Sequence, residues 1–106
     1  MISKKKRVNS ALFQKVMKKG RVIHSPFFIF RYLDQENPQY SFVVPKSLSK
    51  RAVFRNQKRR IGYNILKNID ILGGVGIFFY KKDGVLVETN ILKDDIIKIL
   101  KKVKKL

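Results

Sequence analysis

The chain has 106 residues, of which 25 are Lys or Arg and seven are Asp or Glu, and its formal charge is +18 at pH 7. This length predicts a single domain, residues 1–106, with one modest core, and the 44% of apolar residues exceed what a disordered chain contains. The charge predicts a polyanionic partner. The sequence contains no cysteine, which excludes disulfides, and no apolar run of about 18–20 residues, which excludes a membrane span. No signal peptide is visible.

Hydrophobic periodicity, capping residues and turn residues divide the chain into helices and strands. In chain order the predicted elements are a basic arm that we expect to be mobile (1–8), a helix (about 10–19), an extended region (21–33), a loop (34–39), a strand (40–44), a basic helix (about 50–68), a strand (75–80) and a final helix (about 91–105). Asn9 or Ser10 can cap the first helix, which ends at Gly20. A turn at 82–84 could extend the last strand into a hairpin over 85–88. The pattern predicts an α+β sandwich with helices on one sheet.

Residues 50–60, KRAVFRNQKRR, are the most informative segment of the chain. On a helix, at about 100° per residue, one side carries Phe54, Ile61 and Ile65. The opposite side carries a phenol, an amide and three guanidinium groups: Arg55, Asn56, Arg59, Arg60 and Tyr63. A solvated basic face is the plain alternative. Arginine forks bind phosphate better than lysine does, however, and this favours contact with a nucleic acid backbone.

The aromatic segment over 27–33 has two apolar sides if it forms a strand. Alternation places Phe28, Phe30 and Tyr32 on one side. One side must face the helices that close the core. The other is either a second core face or an open platform on which unpaired bases stack. Composition alone favours the core.

The sequence contains no evident catalytic or metal-binding group. His24 is the only histidine, and a lone histidine at a strand edge is more often structural or solvated than catalytic. Asp94 and Asp95 are adjacent on a helix and point apart, so we interpret them as compensation of the dipole at its start. Residues 73–76 are glycine-rich but lack the Lys-Ser/Thr of a phosphate-binding loop. We therefore expect no catalytic residue, and the lack of cysteine fits the cytoplasm.

Residues 52–61, AVFRNQKRRI, resemble the Arg-Asn signature of the bacterial ribonuclease P protein subunit. That signature is roughly Ala-Val-x-Arg-Asn-Arg-x-Lys-Arg followed by an aliphatic residue. Three residues fall on matching positions: Arg55, Asn56 and Arg60. Arg59 stands where the family usually has Lys, Gln57 replaces the third Arg, and Lys58 stands where an aliphatic residue is more common. The resemblance covers nearly the whole chain.

The resemblance implies a fold and a function. The implied fold has αβββαβα order in a two-layer sandwich with a four-stranded, mainly antiparallel sheet, helices packed on it and a left-handed βαβ crossover (ribosomal-protein-S5-domain-2-like). Sequence alone would predict a right-handed crossover. The implied function is to bind the catalytic RNA and the 5′ leader of precursor tRNA, and so to promote endonucleolytic removal of the leader. The RNA carries the catalysis with Mg²⁺ that it mainly binds itself, the protein alone is inactive, and no membrane or protein partner is implied.

The same resemblance implies two sets of site residues. The RNA-binding surface comprises the basic helix and the loop before it: Lys46, Lys50, Arg51, Arg55, Asn56, Lys58, Arg59 and Arg60. The leader-binding cleft lies between the first helix and the sheet and comprises Phe13, Met17, Phe28 and Phe30. The alternative is a small structural protein that binds ribosomal RNA, which charge and size fit equally. The Arg-Asn signature and the paired aromatic positions weigh against it.

Overall fold

The computed structural model describes residues 9–35 and 38–104, so the basic arm predicted over 1–8 lies outside the described residues. The elements are, in chain order, α1 (Ser10–Lys19), β1 (Arg21–His24), β2 (Phe28–Leu33), β3 (Gln39–Val43), α2 (Ala52–Lys67), β4 (Val75–Tyr80) and α3 (Thr89–Lys102). The αβββαβα order and the α+β class are confirmed. The extended region predicted over 21–33 is an antiparallel hairpin of β1 and β2.

The four strands form one mixed sheet in the order β1-β2-β4-β3. β1 pairs with β2 and β2 pairs with β4 in antiparallel orientation, whereas β3 pairs with β4 in parallel. A parallel pair needs a crossover connection, and α2 supplies it. The sheet is thus mainly antiparallel, as expected, and α2 packs against the edge strand β3. The left hand of the crossover stays a prediction.

Alternation along the strands gives the sheet two apolar faces, and the larger core lies on one of them. This face carries Phe28 and Phe30 of β2, Phe42 of β3 and Phe78 of β4, and it packs against α2 and α3. The ring centroids of Phe30 and Phe78 lie 4.4 Å apart, and those of Phe42 and Phe78 lie 4.8 Å apart. Burial of these rings is the main source of stability, at about 1.5–3 kcal/mol for each phenylalanine.

The opposite face of the sheet is covered in part by α1. Val16 of α1 is buried with Val75 and Ile77 of β4. The ring of Phe13 meets the ring of Phe79 edge-on, with 6.2 Å between centroids. The two-layer description therefore holds for the sheet with α2 and α3, and α1 adds a helix on the other side.

Both ends of α1 lie where the sequence predicts them. The side-chain oxygen of Asn9 accepts a hydrogen bond from the backbone N–H of Leu12 at 2.9 Å and so caps the helix. At the other end the N–H of Gly20 donates to the carbonyl of Val16 at 2.8 Å. A Cβ at position 20 would collide with that same carbonyl oxygen, so the glycine lets the chain pass directly from α1 into β1.

Two predictions in the last third of the chain are wrong. The turn predicted at 82–84 is present as a short 3-10 helix over 83–85, but residues 85–88 form no strand and hence no hairpin. α3 begins at Thr89, so Asp95 lies in its second turn. Asp95 is 6% exposed, and its carboxylate accepts hydrogen bonds from the Ser25 hydroxyl at 2.6 Å and the Phe27 N–H at 3.2 Å. It ties α3 to the turn between β1 and β2 instead of compensating the helix dipole.

Candidate nucleic-acid interface

A glycine and a tyrosine seat α2 on the sheet. A Cβ at Gly62 would lie 2.5 Å from the ring of Phe42, so the absent side chain lets the helix approach closely. The Tyr63 ring meets the Phe42 ring edge-on at 5.3 Å, and its hydroxyl accepts a hydrogen bond from the Phe42 N–H at 3.3 Å. Tyr63 is therefore buried against the sheet, while it keeps its predicted place on the helix side that also carries Asn56 and Arg59. Apolar spacing did not reveal this contact because a glycine carries no hydrophobic signal.

Two arginines of α2 are held by hydrogen bonds. A guanidinium nitrogen of Arg55 donates to the carbonyl of Ser49 at 2.9 Å, which fixes the end of the loop before α2. Arg59 donates to the side-chain oxygen of Asn56, so Asn56 orients that guanidinium. Both arginines are half-buried, whereas Arg60 is exposed. The helix thus presents arginines in set directions, which favours forked contacts with phosphate oxygens.

Further cations extend this surface into the loop before α2. Three exposed residues lie there: Lys46, Lys50 and Arg51. Lys58 is half-buried on α2, with its ammonium 5.4 Å from the centre of the Phe54 ring. No acid occurs between residues 36 and 70, so no carboxylate of this segment interrupts the positive field. We define the cationic surface as Lys46, Lys50, Arg51, Arg55, Asn56, Lys58, Arg59 and Arg60.

A groove of about 390 Å³ lies where α1, β3 and α2 meet, and we call it the α1–α2 groove. Its lining residues are Phe13 of α1, Ser41, Phe42 and Val43 of β3, and Asn56, Arg59, Arg60 and Tyr63 of α2. Aromatic residues therefore border the same space as two arginines. A base can stack on such a ring while the adjoining phosphate meets the arginines, which is how single-stranded nucleic acid is commonly bound.

Two of the four residues predicted to line the leader cleft lie in the main core instead. Phe28 and Phe30 are both 0% exposed, on the sheet face that α2 and α3 cover. Their assignment to a binding cleft is wrong, because no base can reach a fully buried ring. Phe13 does line the α1–α2 groove. Met17, one helical turn further along α1, is 38% exposed but lies outside the groove lining.

Sequence reasoning missed what β3 and β2 contribute to the α1 side of the sheet. Ser41 and Val43 line the groove, since they alternate with the core residue Phe42. Arg31 of β2 is half-buried and alternates with Phe30, so it also lies on the face that α1 partly covers. Strand alternation was the available signal. It could not be used without knowing which helix lies on which face.

The described part of the chain offers a ligand positive charge and an aromatic wall. Among residues 9–35 and 38–104, no cluster of three or more His, Cys, Asp or Glu side chains is placed to hold a metal ion. Within the same ranges no helix has the length and apolarity to cross a membrane. His24 is exposed at the end of β1.

The fold and the groove define a small basic α+β protein with a surface suited to nucleic acid. The family model Ribonuclease P matches residues 2–104, and the chain belongs to the ribonuclease P protein family. This family implies an RNA partner in a ribonucleoprotein, and its members are part of an endoribonuclease holoenzyme that processes tRNA.

Solved structures have the same fold. A Staphylococcus aureus RNase P protein mutant with defective mRNA degradation activity matches with a TM-score of 0.86 and 23% identity, over 97% of this chain and 92% of that chain. The RNase P protein from Thermotoga maritima matches with a TM-score of 0.78 and 17% identity, over 91% of this chain and 96% of that chain. At these identities the likeness establishes the fold. No curated protein sequence matches the chain.

Proposed function

We propose that this chain is the protein subunit of ribonuclease P, which binds the catalytic RNA through the cationic surface and the 5′ leader of precursor tRNA in the α1–α2 groove. The observation that carries the proposal is that Phe13, Arg59 and Arg60 line one groove. Family membership supports an RNA partner of this kind over the alternative, a structural ribosomal-RNA-binding protein. We place this function in the cytoplasm.

The leader is the part of the substrate that the groove suits. It is single-stranded, so its bases are free to stack on the ring of Phe13. Arg59, which Asn56 orients, and Arg60 border the same space, so these two residues of the cationic surface neutralise leader phosphates as well as those of the catalytic RNA. Mature tRNA has no leader, and the groove therefore distinguishes precursor from product.

The cationic surface binds the catalytic RNA through its phosphates. Each cation that contacts a phosphate releases condensed counterions, which makes binding favourable and salt-dependent. The net charge of +18 also screens the repulsion between the catalytic RNA and its tRNA substrate. Substrate affinity then rises, and the Mg²⁺ sites of the RNA fill at lower concentration. Hydrolysis assisted by Mg²⁺ belongs to the RNA, so the protein alone is inactive.

Reconstitution tests the proposed function. We expect the purified protein to restore cleavage of precursor tRNA by a bacterial ribonuclease P RNA at low Mg²⁺, where that RNA alone is slow. The protein without RNA should give no cleavage of the same substrate. Cleavage by rigorously RNA-free protein would contradict the proposal, as would failure to stimulate any bacterial ribonuclease P RNA.

Removing one exposed arginine from α2 should weaken RNA binding in a salt-dependent way. Arg60→Gln is expected to lower affinity for the catalytic RNA and to reduce the slope of log affinity against log salt by about one unit or less. Gln57→Arg makes the opposite change at another exposed position of the same helix and should be neutral or tighten binding. Titrations at several salt concentrations measure both effects. If Arg60→Gln left RNA affinity unchanged but lowered thermal stability, the arginine-bearing side of α2 would stabilise the fold rather than bind RNA.

A further inference from the structure

Tyr80, the last residue of β4, is joined to α2 by a hydrogen bond. Its ring is 2% exposed, and its hydroxyl donates to the backbone carbonyl of Lys58 at 2.7 Å. In an α-helix that carbonyl also accepts the N–H of residue 62, four residues further on. A carbonyl oxygen has two lone pairs, so the tyrosine adds a bond without displacing one of the helix.

The acceptor lies within the part of α2 that borders the groove. Asn56 precedes Lys58 by two residues, and Arg59 and Arg60 follow it directly. All three of these side chains line the α1–α2 groove. A helix rises only about 5.4 Å per turn and is stiff over that distance, so a bond at Lys58 fixes the directions in which the three side chains leave the helix.

The hydroxyl of Tyr80 is itself firmly placed. Its ring lies 4.8 Å from the Phe28 ring and 6.1 Å from the Phe42 ring, both within the main core. Burial raises the pKa of Tyr80 well above its usual range, so the hydroxyl remains a proton donor near neutral pH. One turn along α2, Gly62 and Tyr63 contact Phe42. The sheet therefore holds α2 at two successive turns.

We propose that Tyr80 is a positioning residue for RNA recognition, whose hydroxyl sets the turn of α2 that presents Asn56, Arg59 and Arg60. This inference rests on the proposed function. Tyr80 lies beneath the helix and acts through Lys58 rather than by touching RNA. With this turn already ordered in the free protein, less conformational freedom is lost when RNA binds.

A matched pair of substitutions, Tyr80→Phe and Tyr40→Phe, tests the proposal. Tyr40 is 3% exposed, and its hydroxyl donates to the carbonyl of Gly73 at 2.9 Å. Burial and, to a lesser extent, the charge of Asp34 raise the pKa of Tyr40 as well. Each substitution thus removes one buried hydroxyl and its hydrogen bond to a backbone carbonyl. Only the bond of Tyr80 ends on α2.

Both variants are titrated with a bacterial ribonuclease P RNA over a series of salt concentrations, at a temperature where circular dichroism shows them folded. Tyr80→Phe is expected to lower affinity about threefold to tenfold, because the turn that the lost bond held in place must then be ordered when RNA binds. Its salt slope should not change, because no charge is removed. Tyr40→Phe and Tyr80→Phe should lower the melting temperature by similar amounts, because each loses one buried hydrogen bond. Tyr40→Phe should nevertheless leave affinity within about twofold of the parent protein.

Equal losses of affinity in the two variants would overturn the proposal, and so would unchanged affinity in Tyr80→Phe. Arg60→Gln, titrated in parallel, separates this failure from failure of the proposed function. If Arg60→Gln weakens binding and Tyr80→Phe does not, only the positioning role is wrong. If neither weakens binding, the cationic surface is not the RNA contact. A variant unfolded at the assay temperature is compared in trimethylamine N-oxide, which favours the folded state of all the proteins.

Discussion

Replacing Phe30 with alanine is expected to destabilise the domain by about 3–5 kcal/mol, because the change leaves a cavity at the centre of the main core. The ring is fully buried, 4.4 Å from the Phe78 ring and 5.6 Å from the Tyr32 ring. Small domains are stable by only about 5–15 kcal/mol, so this is a large fraction of the total. Binding of catalytic RNA and of leader should fall together. Urea unfolding followed by circular dichroism, with both binding assays on the same sample, measures the effect.

Phe30→Leu is the matched control for this prediction. Leucine keeps an apolar side chain of nearly the same reach, so the loss of stability should be smaller than for alanine. Both kinds of binding should then remain close to those of the parent protein. A Phe30→Ala protein that stayed fully folded and lost only leader binding would contradict the buried position and return Phe30 to the leader site.

Phe13→Ala should act on the leader instead. Stacking on an aromatic side chain contributes about 1–3 kcal/mol per base, so affinity for precursor tRNA with a leader of several nucleotides should fall about 5-fold to 150-fold. Mature tRNA and the catalytic RNA should bind nearly as before, because neither places a leader in the α1–α2 groove. Competition binding with precursor and mature tRNA, alongside a melting curve, separates the two outcomes. The edge contact with Phe79 predicts some loss of stability, but less than for Phe30.

Met17→Ala is the control on the same helix. Met17 lies one turn from Phe13 but outside the groove lining, so its truncation should change leader affinity much less. Equal effects of the two changes would extend the leader site along α1 beyond the groove. Equal loss of precursor and mature tRNA binding in Phe13→Ala, in step with a lower melting temperature, would contradict a leader site at Phe13.

Local signals in the sequence were sufficient for much of the fold. The cap at Asn9 and the glycine at position 20 define α1, and the strand predicted over 75–80 coincides with β4. These features depend on residues close together in sequence. The loop cations Lys46 and Lys50 were also placed correctly on the surface, since an unpaired ammonium is rarely buried.

The failures concern contacts between distant parts of the chain. Both sides of β2 are apolar, so composition could not decide whether Phe30 faces α1 or the layer of α2 and α3. The burial of Tyr63 was missed because the helix approaches the sheet closely at Gly62, which leaves no apolar signal. Asp95 was read as a helix-end charge, whereas its partners Ser25 and Phe27 lie about 70 residues away. In each case the deciding neighbour lies on another element.

The sheet order also has a consequence for how the chain folds during synthesis. β1, β2 and β3 are all made before β4, yet β2 and β3 are not neighbours, because β4 lies between them. Until residues 75–80 leave the ribosome, the early strands lack the partner that joins them, and α2 has no completed sheet to pack on. Such long-range pairing slows folding and leaves apolar segments exposed meanwhile. By then the nascent chain already contains 17 of its 25 Lys and Arg residues but only three of its seven acids, so a strongly cationic segment emerges before the sheet can be completed.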